Sequence, residues 1–317
     1  MISEFVKSSV VFGCAGPTLS KAEFDFFRAT LPFGFILFSR NIVNYEQVKQ
    51  LCISLRKSVG WNAPILIDQE GGRVNRLSNI ISFDNFTSEY FGNLYEKDKM
   101  KLNIVYKLFI DNTSHLLKLI GANINTLPVL DLRVKGASNI IGDRSFSYNV
   151  NTVSKMGDLC IKLFKDNSIG TVIKHIPGHG LAKVDSHNFT PIVNQSIKHL
   201  KKYDFSAFKK KNCFFAMTGH VIYKNLDKFN TATHSKKVVS YIRNNIGFKN
   251  ILISDDLSMK SLKNNMKDNT IKAFEAGCNI ALHCNGKLNE MKIVAENSPL
   301  ISGFIYKKTS QFYKILS

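Results

Sequence analysis

The chain is predicted to be an α/β protein closed into a single (β/α)8 TIM barrel, and three observations carry that reading. Eight short apolar runs can be counted, at residues 9–14, 34–39, 64–68, 123–131, 170–175, 213–220, 250–255 and 278–284. They are apolar throughout rather than alternating, which marks strands buried on both faces, as in a parallel sheet. Each is followed by a helix-length segment, and strand alternating with helix is the βα pattern. Polar groups gather at the ends of these runs, the face on which this architecture builds its sites.

In the first run, Val11-Phe12-Gly13-Cys14 has the outline of a lipoprotein cleavage site, with Lys7 just before it. Glu4 interrupts the leader, and the run is shorter than the roughly 7–15 apolar residues of a signal peptide, so a barrel strand is expected. The second run leads into Tyr45-Glu46-Gln47-Val48-Lys49-Gln50-Leu51, whose spacing is that of an amphipathic helix. The third delivers Asp68 and the fourth Asp131, before amphipathic spacing at 153–163. The last four present Lys174 with His175, then His220, Asp255 and His283. Any one such group could cap its strand, but six strands ending this way on one face are better explained by a site.

With 44% hydrophobic and 21% charged residues, the 317-residue chain can bury a sizeable core. No apolar stretch approaches the roughly 18 residues of a membrane span, so no membrane partner is expected. No linker or second composition regime appears, and residues 1–317 are read as one domain. Six cysteines show no CxxC pair and no cluster, which suits buried thiols in a reducing cytoplasm. The formal charge of +19 raises the question of nucleic acid. Lys201-Lys202 and Lys209-Lys210-Lys211 fall in segments that read as outer helices, where a charge run is a solvated face. There is no P-loop and no aromatic-basic interleaving, so no nucleic-acid partner is expected.

Three segments, in order, say more. They are Ile67-Asp68-Gln69-Glu70-Gly71-Gly72-Arg73-Val74 with Arg76 close behind, Lys174-His175-Ile176-Pro177-Gly178-His179-Gly180 followed by Asp185-Ser186-His187, and Asp255-Asp256-Leu257-Ser258-Met259. Together, from about residue 34 to about residue 284, they resemble the family 3 glycoside hydrolases, and within it the bacterial β-N-acetylglucosaminidases of peptidoglycan recycling. Two-domain members carry a second α/β sandwich, for which this chain is too short.

A retaining glycosidase needs a carboxylate nucleophile and an acid for the departing oxygen. Physics leaves Asp255 and Asp256 open, and Asp256 could be a strand-end cap; the resemblance implies that Asp255 is the nucleophile. It also implies that His187, on a mobile loop and held by Asp185, replaces the second carboxylate. Imidazole titrates near pH 6.5, and a neighbouring carboxylate raises that value and fixes the tautomer. Pro177, Gly178, Gly180 and Pro191 are what such a loop needs to swing. By the same resemblance Asp68 accepts hydrogen bonds from sugar hydroxyls, with Arg76, Arg144, Lys174 and His175 donating around the ring. Arg144 lies in Ile141-Gly142-Asp143-Arg144-Ser145-Phe146, where a salt bridge with Asp143 or Asp131 would also explain it.

His175, His179 and His187 do not read as zinc ligands, because histidines four apart need a helix and Pro177-Gly178 forbids a regular one. No metal and no organic cofactor is expected. Departures from the family pattern are Phe189, where an acidic residue is common, Gly219, where Ala is usual, and His283 before Cys284-Asn285. The implied protein is a cytoplasmic, monomeric retaining exo-β-N-acetylglucosaminidase. Its substrate is a small saccharide or muropeptide, from which it releases GlcNAc linked to 1,6-anhydro-MurNAc by double displacement. The alternatives are a phosphorylase on the same fold, using phosphate in place of water, and a non-catalytic saccharide- or nucleic-acid-binding barrel.

Overall fold

The computed structural model describes residues 7–186 and 189–316. Eight parallel strands follow one another around a closed barrel: β1 (Ser8–Gly13), β2 (Pro32–Leu37), β3 (Ile65–Ile67), β4 (Ile124–Asn125), β5 (Gly170–Ile176), β6 (Phe215–Thr218), β7 (Ile251–Asp256) and β8 (Ile280–His283), with β8 pairing back onto β1. Each strand overlaps one of the apolar runs. In this two-sided burial, Val10 and Phe12 pack outward with Phe27 and Leu51 of the helix layer. Val11, paired with Leu282, joins Ile36, Leu66, Ile124, Val172 and Ile253 inside the barrel.

The helices begin and end on capping residues. Lys21–Thr30 starts on a Ser20–Glu23 capping box, and Tyr45–Val59 runs from Asn44 to a left-handed Gly60. The helix Gly303–Leu316 closes the floor of the barrel. Its Phe312 meets Phe215 edge-on at 5.1 Å and lies where a side chain at Gly170 would otherwise stand. Gly170 and Phe215 are the first residues of β5 and β6, so the N-terminal mouth is filled and the opposite face is left to the ligand.

Three sequence expectations need correction. The run 123–131 is a strand only over Ile124–Asn125, with one further bridge at Val129. Pro128 has no N–H to give the ladder. After β5 the helix Ile197–Lys202 is six residues long, and after β6 the helix Lys236–Tyr241 runs on as a wider turn over Ile242–Ile246; long loops precede both. Within those loops Ile192–Val193 and Ile222–Tyr223 pair as a small parallel sheet. Lys209–Lys211 is not helical: Lys211 reaches the helix Val150–Asp166, donating to Asp158 Oδ1 at 2.9 Å and Ser154 Oγ at 2.8 Å.

Candidate active site

At the C-terminal mouth lies a cavity of about 350 Å³, within the size range of small-ligand sites. Six of the eight residues given site roles above line it, Asp68, Arg76, Arg144, Lys174, His175 and Asp255, and so do Glu70, His179 and Asp256. Asp185 is half-buried beside it, its carbonyl accepting the Phe189 N–H at 2.9 Å, and its neighbour Ser186 lines the cavity. His187 lies outside the described residues.

The turn after β3 sets the first group. Glu70 and Val74 close it, Glu70 N–H donating to the Val74 carbonyl at 3.0 Å. Gly71 and Gly72 adopt φ of +86° and +56°, and a Cβ at Gly71 would stand 2.3 Å from the Phe86 carbonyl oxygen. This tight return points Asp68, Glu70 and Arg76 into one cavity. Lys174 Nζ, buried, donates to Asp68 Oδ1 at 2.9 Å and Thr126 Oγ1 at 2.9 Å, and lies 2.7 Å from Glu70 Oε1. Arg144 grips Glu70 with both arms, Nε to Oε2 at 2.8 Å and Nη2 to Oε1 at 2.9 Å. Asp68 Oδ1 also accepts from Thr126 Oγ1, while its Oδ2 faces Arg76 Nη2 at 3.5 Å.

Burial would raise the Asp68 carboxyl, but the charges of Lys174 and Arg76 hold it well below the usual carboxylate range. Glu70 is likewise driven up by burial and, more strongly, down by Arg144 and Lys174, to about 2. Arg144 is disfavoured by burial but raised overall by Glu70. All these groups are charged at neutral pH.

A second network lies deeper. Asp131, fully buried past β4, accepts from His175 N–H at 3.2 Å and His179 N–H at 2.7 Å, and its Oδ2 is 2.6 Å from His175 Nδ1. That contact fixes the ring so that Nε2 is turned from Asp131. The β5–β6 register shifts between Lys174 and Ile176, which accounts for two consecutive residues lining one cavity. Burial lowers the His179 imidazole to about 4, so it is neutral.

The end of β7 carries the carboxylate pair. The β7–β8 register shifts between Ile280 and Leu282, where Ser254 Oγ takes the Leu282 N–H at 2.9 Å. Asp256 is then clasped: Oδ1 accepts the N–H groups of Ser258 at 3.0 Å and Cys284 at 3.1 Å, and Oδ2 accepts Ser258 Oγ at 2.7 Å. The Asp255 N–H donates to Thr218 Oγ1 at 3.2 Å, and Asp255 Oδ1 accepts the Asp256 N–H at 2.8 Å. Of the other strand-end groups, His220 and His283 do not line the cavity. His220 bridges Thr233 Oγ1 at 2.8 Å and the Asp256 carbonyl at 2.9 Å, behind the pair, and His283 meets Glu290 at 3.1 Å.

Glu70 was missed as a site residue, although it sits in a quoted motif. The partner foreseen for Arg144 was Asp143 or Asp131; it is Glu70, and Asp143 binds Arg73 at 2.9 Å. Glu70→Ala should therefore leave two buried cations short of a counter-charge and cost about 3–5 kcal/mol in urea denaturation. Linkage gives a further expectation. Glu70 falls from 4.5 to about 2 on folding, so its contribution is complete above pH 4.5 and lost as pH falls toward 2. His179 falls from 6.5 to about 4, so its contribution is complete above pH 6.5 and lost toward pH 4. Unfolding free energy should thus fall from pH 6.5 to 4, with a shallower slope in His179→Gln.

Comparison with known proteins agrees with this geometry. The Glycosyl hydrolase family 3 N terminal domain matches residues 29–303. A beta-hexosaminidase of Psychromonas ingrahamii is 31% identical over 315 residues, 96% of this chain and 89% of that protein. One from Haemophilus ducreyi is 31% identical over 286 residues, 87% of this chain and 81% of that protein. The crystal structure of NagZ from Neisseria gonorrhoeae in complex with N-trifluoroacetyl-D-glucosamine has a TM-score of 0.85 at 26% identity, covering 99% of this chain and 91% of that one. With a barrel, a strand-end site and a family match across most of its length, the chain belongs to glycosyl hydrolase family 3 and is a glycoside hydrolase.

Proposed function

We propose that this enzyme is a retaining exo-β-N-acetylglucosaminidase. It removes terminal GlcNAc from GlcNAc-1,6-anhydro-MurNAc fragments, with Asp255 as nucleophile and His187, oriented by Asp185, as acid and then base. The position of Asp255 at the end of β7 carries the reading. Asp255 and Asp256 both line the cavity, and both oxygens of Asp256 accept from Ser258 or Cys284, which suits Asp256 to hold the turn and Asp255 to react. In the first step an Asp255 oxygen bonds to the anomeric carbon while the bond to the leaving oxygen breaks and His187 protonates that oxygen. In the second, neutral His187 takes a proton from water, whose oxygen displaces Asp255 and restores the β configuration.

Asp68 and Arg76 suit a neutral sugar. Asp68 Oδ1 is already occupied by Thr126 and Lys174, so Oδ2 is the acceptor for a hydroxyl. Arg76 lines the cavity with its side chain 28% exposed and Nη2 3.5 Å from Asp68 Oδ2, so its guanidinium has N–H groups to donate to the ligand. The glucosamine derivative bound in the Neisseria structure supports a sugar of this class. Water rather than phosphate is favoured as acceptor because the cations lining the cavity, Arg73, Arg76, Arg144 and Lys174, share its wall with Asp68, Glu70, Asp255 and Asp256, and Arg73 is also paired with Asp143. The six cysteines are buried and unbridged, as in a reducing cytoplasm, and no helix of the described residues is long and apolar enough to cross a membrane.

Nitrophenyl GlcNAc should be hydrolysed at equal rates in phosphate and non-phosphate buffers, and purified muropeptides should yield GlcNAc. A GlcNAc-1-phosphate product would replace hydrolysis with phosphorolysis. Because the nucleophile belongs to the enzyme, successive fluorination of the acetamido methyl should change kcat/KM only slightly. A steep decline would mean that the acetamido oxygen attacks instead.

A further inference from the structure

A buried polar chain runs behind the carboxylate pair. Thr218 is the last residue of β6, whose ladder with β7 is in register through Met217 and Ile253. Just past that register the Asp255 N–H donates to the Thr218 hydroxyl at 3.2 Å. Thr218 Oγ1 is 2.7 Å from Thr233 Oγ1, which is 2.8 Å from His220 Nδ1. His220 Nε2 is 2.9 Å from the Asp256 carbonyl oxygen, which also accepts the Met259 N–H at 3.1 Å. The Ala232 N–H, bonded to the Val221 carbonyl at 2.8 Å, brings Thr233 back over His220. Thr218, His220 and Thr233 are all fully buried.

The two ends of this chain fix the direction of every proton in it. The Asp256 carbonyl can only accept, so His220 carries its proton on Nε2 and leaves Nδ1 bare. A bare Nδ1 requires the Thr233 O–H, and Thr233 Oγ1 then accepts the Thr218 O–H. The Gly219 carbonyl lies farther from Thr233 Oγ1, at 3.5 Å. Thr218 Oγ1 in turn accepts the Asp255 N–H, so each donor in the chain has an acceptor. A proton on Nδ1 would turn the Thr233 proton onto Thr218 and strand the Thr218 proton with no acceptor in the chain.

The chain grips the backbone on both sides of the peptide unit that joins Asp255 to Asp256. Asp255 Oδ1 accepts the N–H of that same unit at 2.8 Å, so a shift at either grip carries the carboxylate with it. We propose that Thr218, Thr233 and His220 are positioning residues that set the Asp255 carboxylate against the anomeric carbon. The inference rests on the reading of Asp255 as nucleophile given above. None of the three lines the cavity, so they act through Asp255 and not on the sugar. A fully paired side-chain network in a dry interior holds one geometry, and a nucleophile needs that because rate depends steeply on approach.

Thr233→Val removes one hydroxyl and keeps the shape of the side chain. It should lower kcat/KM, which reports the bond-breaking step, by roughly tenfold to a hundredfold, the scale for a misplaced reacting group. The factor should be the same for a dinitrophenyl glycoside of GlcNAc as for GlcNAc-1,6-anhydro-MurNAc, because both need the nucleophile. Inhibition by free GlcNAc should be unchanged, and Thr233→Ser, which keeps the hydroxyl, should recover the rate. In wild type, ¹⁵N NMR of the histidine rings, with His220→Gln to assign the signal, should place the His220 proton on Nε2. Should Thr233→Val fail to fold, the same rates are read on His220→Gln, with the same loss expected. Full activity in the variant, or a loss matched by weaker GlcNAc inhibition, would overturn the role, since a purely structural network would behave that way. So would a loss confined to the natural saccharide, which would point to the acid, or a His220 proton on Nδ1. A 2-fluoro label on Asp256 would instead overturn the choice of nucleophile, and is read independently of these rates.

Discussion

Asp255→Ala is expected to lower hydrolysis by a factor on the order of 10⁴–10⁶, the loss that follows removal of an enzyme nucleophile. Sugar affinity should be largely intact, because Asp68, Glu70, Arg76, Arg144 and Lys174 hold one another. The fold should also survive, since Asp255 is anchored to Thr218 through its backbone N–H. A 2-fluoro glycosyl fluoride slows both steps by disfavouring the oxocarbenium-like transition state, while its good leaving group spares the first. The ester should accumulate, and peptide mapping should find it on Asp255. Asp256→Ala should behave differently, losing stability as well as rate, because the clasp from Ser258 and Cys284 goes with it. A label on Asp256 would reverse the assignment within the pair.

The barrel was legible because strands buried on both faces write continuous apolar runs, and each of the eight runs contains or overlaps a strand. The candidate site was legible as far as strand ends deliver side chains, which is why Asp68, Lys174 and Asp255, noted at the ends of their runs, line one cavity. Direction was not legible. His220 and His283 also stand at strand ends, but the first is turned to Thr233 and the Asp256 carbonyl and the second to Glu290. Pairing at a distance was not legible either. Glu70 and Arg144 are 74 residues apart, and no local pattern joins them. The available signal was physical: two cations in one buried site, Lys174 and Arg144, require more counter-charge than Asp68 supplies. The short helix after β5 and the late start of the helix after β6 escaped because the loops before them carry their own small sheet and a second cavity, and such contacts are not periodic in sequence.

For His187→Ala the size of the loss should depend on how badly the leaving group needs a proton. A natural saccharide leaves as a poor alkoxide, so its cleavage should slow by roughly the 10²–10⁴-fold typical of general acid catalysis. A dinitrophenyl glycoside leaves without protonation, and its first step should be nearly spared. Turnover would then be limited by hydrolysis of the ester on Asp255, for which water has lost its base. Azide is already anionic and needs none, so it should restore turnover and give a glycosyl azide of retained configuration. Asp185→Ala should act in the same direction more weakly, since it removes the orienting partner but leaves the imidazole. Equal losses on both substrates, with no response to azide, would mean that His187 only positions the sugar. The acid would then have to be sought among the other groups at the mouth of the barrel. There His175 and His179, the two histidines on the cavity wall among the described residues, would be the first to substitute.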